Sequence, residues 1–314
     1  MTTVASTAEL HELQATREQA PSDSSSASVS QPSTLNPQPS SSPQPLLIIE
    51  PRRGWRSLEL DELWRYRHLL TAFLWRDIKA GQKQTVLGVL WLFISPLFAV
   101  GVYTIVFGRL AKVPSDGIPY PLFVFAGQIL WNAFAPAIQG TTQSVVSNSH
   151  FIQKVYFPRL LIPTSAALSG IVNLAIVFVC LLGLMCYYGY YPGWTALLAV
   201  PIALLVLATA LGIGMLLAPL NVMYRDVGML TNFVLQLGLY LTPVVYPVSL
   251  VPARFQWLLA FNPLAGYIST MRWCLFGSEL SLMLLFCSLS ATFVLLVGGA
   301  FFFARMQGRF ADVI

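Results

Sequence analysis

Residues 147–163 read SNSHFIQKVYFPRLLIP and stand between two uncharged hydrophobic blocks. They carry His150, Lys154 and Arg159, with Phe151, Tyr156 and Phe157 interleaved and Pro158 and Pro163 as punctuation. A basic, aromatic segment between two runs long enough to cross a bilayer is a loop at a membrane surface. Its prolines interrupt any long helix, and its rings suit a lipid interface or a groove on another protein. Two roles remain open. Either the segment anchors orientation through its positive charge, or it is a short docking helix through which a cytoplasmic partner moves the spans.

Outward from it, the run 160–224 contains no charged side chain and no histidine. One spanning helix needs about 20 residues, so this run must fold back on itself. Of the 314 residues, 56% are hydrophobic and only 10% charged, where a soluble domain is roughly one-quarter charged. The fold class is therefore all-α, integral to the membrane. The net charge of +5 does not indicate nucleic acid, because the basic residues cluster at the ends of apolar runs, where they set orientation. Cys180, Cys186, Cys274 and Cys287 show no metal or redox spacing and read as small apolar residues.

The chain divides into three regions. Residues 1–45, rich in Ser, Pro, Gln and Thr, hold too little apolar surface to offset the entropy of ordering and form a disordered cytoplasmic tail. No apolar signal-peptide core opens the chain, so insertion is expected through its own spans with the amino terminus retained. Residues 46–84 contain LELDELWRYRHLLTAFLWRDIKAGQK at 58–83. Its apolar face among arginines and lysines predicts an amphipathic helix lying in the interfacial plane. Residues 85–314 form the transmembrane domain, with six spans expected at about 86–108, 120–142, 161–188, 194–220, 229–250 and 280–304. Ser95-Pro96 is a candidate kink in the first. Gly101, Gly108, Gly212 and Gly214 are expected at close helix contacts. Between the fifth and sixth spans, residues 252–277 are apolar but broken by Asn262-Pro263 and Gly266. That pattern predicts two short helices lying at, or dipping into, one membrane face.

With six spans, both termini share a side with 147–163 and with the loop NVMYRDVG at 221–228. That side holds fourteen of the eighteen Lys and Arg, and the other holds Arg109, Lys112, Arg254 and Arg272. The termini are therefore placed in the cytoplasm.

No phosphate-binding GxxxxGK[ST] loop, GxSxG, HExxH or paired-Cys motif occurs. The spans also lack the Asp, Glu or His chain that an ion-driven carrier commonly uses. Catalysis by this chain is not expected, and any uphill transport draws its energy from elsewhere. Aromatic rings stack on sugar faces while letting a chain slide, which makes Trp91, Phe93, Phe98 and Tyr103 on the first span, with Tyr240 and Tyr246 on the fifth, candidates to line a path. Packing and interfacial belts are the alternative use of such rings.

Four motifs occur in order: LWRDIKAGQKQTVLGVLWLFISPLF, FIQKVYFPRLLIP, LNVMYRDVG and the ending RFADVI. Together with six spans and no ATPase motif they resemble the membrane subunit of type-2 ABC polysaccharide exporters, from about residue 58 to 314. The chain departs at Ala80-Gly81, where the family commonly has an aromatic and basic pair. The resemblance implies a homodimer in the bacterial inner membrane, bound to two nucleotide-binding subunits that hold ATP and Mg. No cofactor is implied for this chain. It implies that 147–163 contains the main coupling helix, with Phe151, Tyr156 and Phe157 as anchors and Lys154 and Arg159 setting register. Arg225 and Asp226 make a second cytoplasmic contact, and 252–277, with Arg254, Asn262, Pro263 and Arg272, forms external gate helices. The implied cargo is a lipid-linked polysaccharide, O-antigen above all. A drug or small-lipid exporter of the same fold is the alternative within the family, and a membrane glycosyltransferase or acyltransferase the alternative outside it.

Overall fold

The computed structural model describes residues 65–82, 88–154 and 157–309. The Ser/Pro-rich tail, the start of the amphipathic stretch, Tyr156 and the RFADVI ending lie outside the described residues, as do the side chains at Ala80-Gly81. Every regular element among the described residues is helical. In chain order the α-helices are α1 (Arg67–Gln82), α2 (Gly88–Tyr103), α3 (Tyr120–Ser147), α4 (Ser149–Lys154), α5 (Leu161–Leu168), α6 (Gly170–Tyr187), α7 (Ala199–Met223), α8 (Asp226–Leu241), α9 (Gln256–Ala260), α10 (Pro263–Phe276) and α11 (Leu282–Met306). Helix α2 runs through Pro96 without a break and passes into a π-helical turn, Thr104–Leu110.

Five helical stretches are long and apolar enough to cross a membrane: Leu90–Leu110, Tyr120–Ser147, Leu161–Tyr187, Trp194–Met223 and Leu282–Met306. The chain is thus a multi-pass membrane protein. The span expected at 229–250 differs. Helix α8 starts earlier, at Asp226, and stops at Leu241. A residue before proline is pushed out of the helical region, and Thr242, before Pro243, has φ −93 and ψ 140. The signals at 252–277 do mark helix ends. Asn262 caps α10 by accepting from the Leu264 N–H with Pro263 in the first turn, and α10 ends on Gly277 at φ 72, a left-handed conformation suited to glycine.

Helix α3 is the axis of the bundle, buried along most of its length and packed against α5, α6, α7 and α10. Without a strong hydrophobic drive between helices in lipid, close packing depends on small residues. A Cβ on Gly212 of α7 would lie 2.6 Å from the Leu295 backbone of α11, so any larger residue there would push the two helices apart. Gly101 has open space around it, and close packing does not explain it. One set of buried hydroxyls is paired across helices. The Tyr267 hydroxyl meets Thr292 Oγ1 at 2.6 Å, which meets Thr209 Oγ1 at 2.7 Å, joining α10, α11 and α7.

Candidate functional site

The segment 147–163 builds one end of the bundle. Asn148 closes α3, its amide donating to the Ser144 carbonyl at 2.8 Å, and the chain turns at once into α4. Pro158 then holds the chain out of helix before α5 begins at Leu161. Under the segment lies α1. Phe73 of α1 is buried with Phe157, Leu161 and Ile162. Its ring sits 5.7 Å from Phe157 and 6.1 Å, edge to face, from Phe151. The Arg76 guanidinium covers both Phe73 and Phe151, at 4.9 and 5.4 Å. Arg76 also binds Asp77 through two nitrogens at 3.0 and 2.7 Å, and Ser165 of α5 donates to the other Asp77 oxygen at 3.4 Å. Helices α1, α4 and α5 are therefore joined into one unit.

The sequence-predicted coupling residues separate into two layers. Phe151 is 47% exposed and Lys154 is exposed, while Phe157 is 6% exposed and belongs to the interior. As a docking anchor, Phe157 is corrected to a core residue: the turn at Pro158 points it at Phe73. Arg159 is half-buried and donates to the Gln307 carbonyl beyond α11, so it fastens the segment to the far end of the chain. Arg225 and Asp226 are both exposed at the start of α8, with no hydrogen bond or ion pair between them among the described residues. Asp226 lies in the first turn, where the helix N-terminus stabilises a carboxylate.

Of the aromatic candidates, Trp91 and Phe98 share the exposed face of α2, and Phe93 points about 200° away from Trp91. Tyr103 is half-buried against Phe107 at 6.2 Å, and Tyr240 of α8 is exposed. Tyr246 donates to the Leu241 carbonyl at 3.1 Å, closing off the end of α8.

At the opposite end, residues 242–246 lead from α8 toward a short helical turn at Val248–Leu250, and three side chains hold this connector. Tyr120 donates to the Val245 carbonyl at 2.7 Å, Arg272 to the Val244 carbonyl at 2.7 Å, and Asn262 to Thr242 Oγ1 at 2.9 Å. Arg272 also donates to the Phe123 carbonyl at 3.3 Å and lies 3.5 Å from the centre of the Phe123 ring. It is 4% exposed, with no carboxylate at ion-pair distance among the described residues. The expected gate cation is therefore a buried staple, since α10 faces the bundle rather than solvent. Arg254 does lie exposed, over the Phe255 ring. The amides of α3 escape motif-based reading of the sequence. Their signal is a helical spacing inside a span.

Residues 68–276 match the ABC-2 type transporter family. The chain is 30% identical over 212 residues to the O-antigen export system permease protein RfbA of Myxococcus xanthus, which is 67% of this chain and 80% of that protein. It is 27% identical over 247 residues to the O-antigen export system permease protein RfbA of Klebsiella pneumoniae, covering 78% and 95% of the two chains. A multi-pass helical bundle with a short surface helix between its spans fits that match, and the chain belongs to the ABC-2 type transporter family, whose members are membrane permease subunits rather than enzymes.

Proposed function

We propose that this chain is the channel-forming subunit of an ATP-driven exporter that carries a lipid-linked polysaccharide, of the O-antigen class, across the bacterial inner membrane. The observation that carries the reading is the breadth of the likeness: the match to the Klebsiella permease covers 95% of that protein. Two copies of the chain form the path, and each engages a separate nucleotide-binding subunit that holds ATP and Mg. Closure of those subunits on ATP pushes α4 through Phe151 and Lys154, with Arg225 and Asp226 as a second contact. Because α1 and α5 are packed onto the same aromatic floor, the push moves them together.

The placement in the bilayer is part of the same reading. Helix α8, with its 16 residues, rises about 24 Å, and the connector 242–246 completes a sixth crossing. The Lys and Arg imbalance puts both termini and α4 in the cytoplasm. Helix α1 lies along that interface, and α9 and α10 are the external helices. Trp91, Phe98, Tyr103 and Tyr240 offer stacking faces to the cargo.

Deleting the gene in its native cells should trap lipid-linked glycan on the cytoplasmic side, and the full chain should restore it to the surface. Purified chain alone should not hydrolyse ATP. Unchanged surface glycan in the deletion strain overturns the reading. So does labelling of a cysteine at Ser149 by an impermeant thiol reagent in sealed cells, which would reverse the orientation.

A further inference from the structure

All four Asn and Gln residues of α3 are Gln128, Asn132, Gln139 and Gln143. At 100° per residue they fall within an arc of about 60°, so one stripe of the most buried helix is lined with amides. The hydroxyls of the same helix behave differently. Thr142 and Ser144 are buried and donate to the carbonyls of Ile138 and Thr141 at 2.8 and 2.6 Å. Gln139 and Gln143 are exposed, and their amides make no hydrogen bond among the described residues. Gln128 is 6% exposed and donates to Asn132 at 3.2 Å, leaving its Oε1 without a partner. Pro136 stands on the edge of this stripe. It has no N–H, so the Asn132 carbonyl loses its usual helical donor.

At Asn132 the stripe borders a cavity of about 320 Å³, whose wall mixes Asp77, Ser169 and Asn173 with the apolar Leu92 and Val172. Carboxylate, amide and hydroxyl groups from α1, α3 and the α5–α6 junction therefore face one space, with no lysine or arginine on its wall. Unsatisfied amides facing hydrocarbon are costly, so this stripe calls for water or a hydrogen-bonding occupant. Neutral amides are suited to hydroxyl groups, which donate and accept together. A phosphate would call for cations.

We propose that this amide stripe and its cavity form a hydrogen-bonding track for the sugar hydroxyls of the cargo. This rests on the transport reading above. Amides repeated four, seven and four residues apart along one face let successive sugars exchange one partner for the next, so the chain is held without being fixed. The aromatic rings of α2 and α8 supply stacking, and the stripe supplies the polar side of the same contact.

The test is made in cells that export the glycan. Gln139→Leu with Gln143→Leu should lower surface glycan at least tenfold, with chain abundance, self-association and partner-stimulated ATP hydrolysis unchanged. Gln139→Asn with Gln143→Asn keeps the amides and should recover most of the export. A photoreactive benzoylphenylalanine at Gln143 should cross-link to glycan on illumination. Normal export by the leucine pair would mean that the stripe faces lipid, and loss of self-association that it packs against a second copy. Cross-links to phospholipid alone, or to a second copy alone, point to the same two arrangements, and each of these results overturns the track. If the unaltered chain exports no glycan, the transport reading fails instead.

Discussion

At its Leu241 end, α8 runs into a connector held at its backbone by Tyr120 and Arg272 and at the Thr242 hydroxyl by Asn262. At its Asp226 end, Arg225 and Asp226 stand exposed, and Thr231 is the one residue of α8 that is buried. One end is held by polar bonds that are buried or partly buried, and the other is exposed. A helix fixed at one end and lightly packed along its length can swing at the other with little cost in buried contacts. The end formed by 147–163 repeats this contrast on a smaller scale. Phe157 faces Phe73 in the interior, and Phe151, on the same segment, keeps nearly half its surface open.

The sharpest way to break this contrast is Phe157→Ala. Removing a buried ring leaves a cavity under the segment, and we expect a loss of about 4 kcal/mol in stability, read as an earlier thermal transition in detergent. A change under about 1 kcal/mol would place Phe157 on the surface layer after all. Arg272→Ala comes next. It strips two carbonyls of a charged donor and leaves a void, for an expected cost of about 3 kcal/mol. Arg272→Lys should recover little, because an ammonium cannot span both carbonyls and stack on Phe123. Full stability of either variant would mean that the connector is not held by Arg272.

Phe151→Ala should leave stability nearly unchanged and cost about 2 kcal/mol, near thirtyfold, in affinity for the nucleotide-binding subunit. Titrating that subunit against the reconstituted chain gives the number, and equal affinity would reduce the segment to an orientation anchor. Asn262→Ala removes the α10 cap and the bond to Thr242, and should cost about 1 kcal/mol. The smallest effect is expected for Lys154→Ala, a rim charge worth about 0.5 kcal/mol, whose contribution should vanish at high salt.

Much of this was legible in the chain before any fold was drawn. The uncharged run 160–224, the basic residues at the ends of apolar blocks and the Asn262-Pro263 start of α10 are local facts with local causes. Thr242-Pro243 is a local signal as well, stopping α8 by steric restriction, but the span expected at 229–250 runs through it. The depth of Phe157, the inward turn of Arg272 and the cavity beside Asn132 were not legible in this way.

The sequence by itself determined that the chain is helical and spans a membrane, because backbone groups in lipid must be paired within the helix and only long uncharged runs meet that demand. It also determined where most helices begin and end, since caps, prolines and glycines act within one turn. Only the tertiary structure decided which residues face one another. In soluble proteins apolar periodicity marks the buried face, but α7 is apolar on every side, so its pattern cannot say which side meets α3 or α11. Close approach at Gly212 decides that, together with the threonine and tyrosine hydroxyls that pair across helices. The same contacts leave Gln139 and Gln143 of α3 without a hydrogen bond among the described residues, and they put Phe151 outside and Phe157 within.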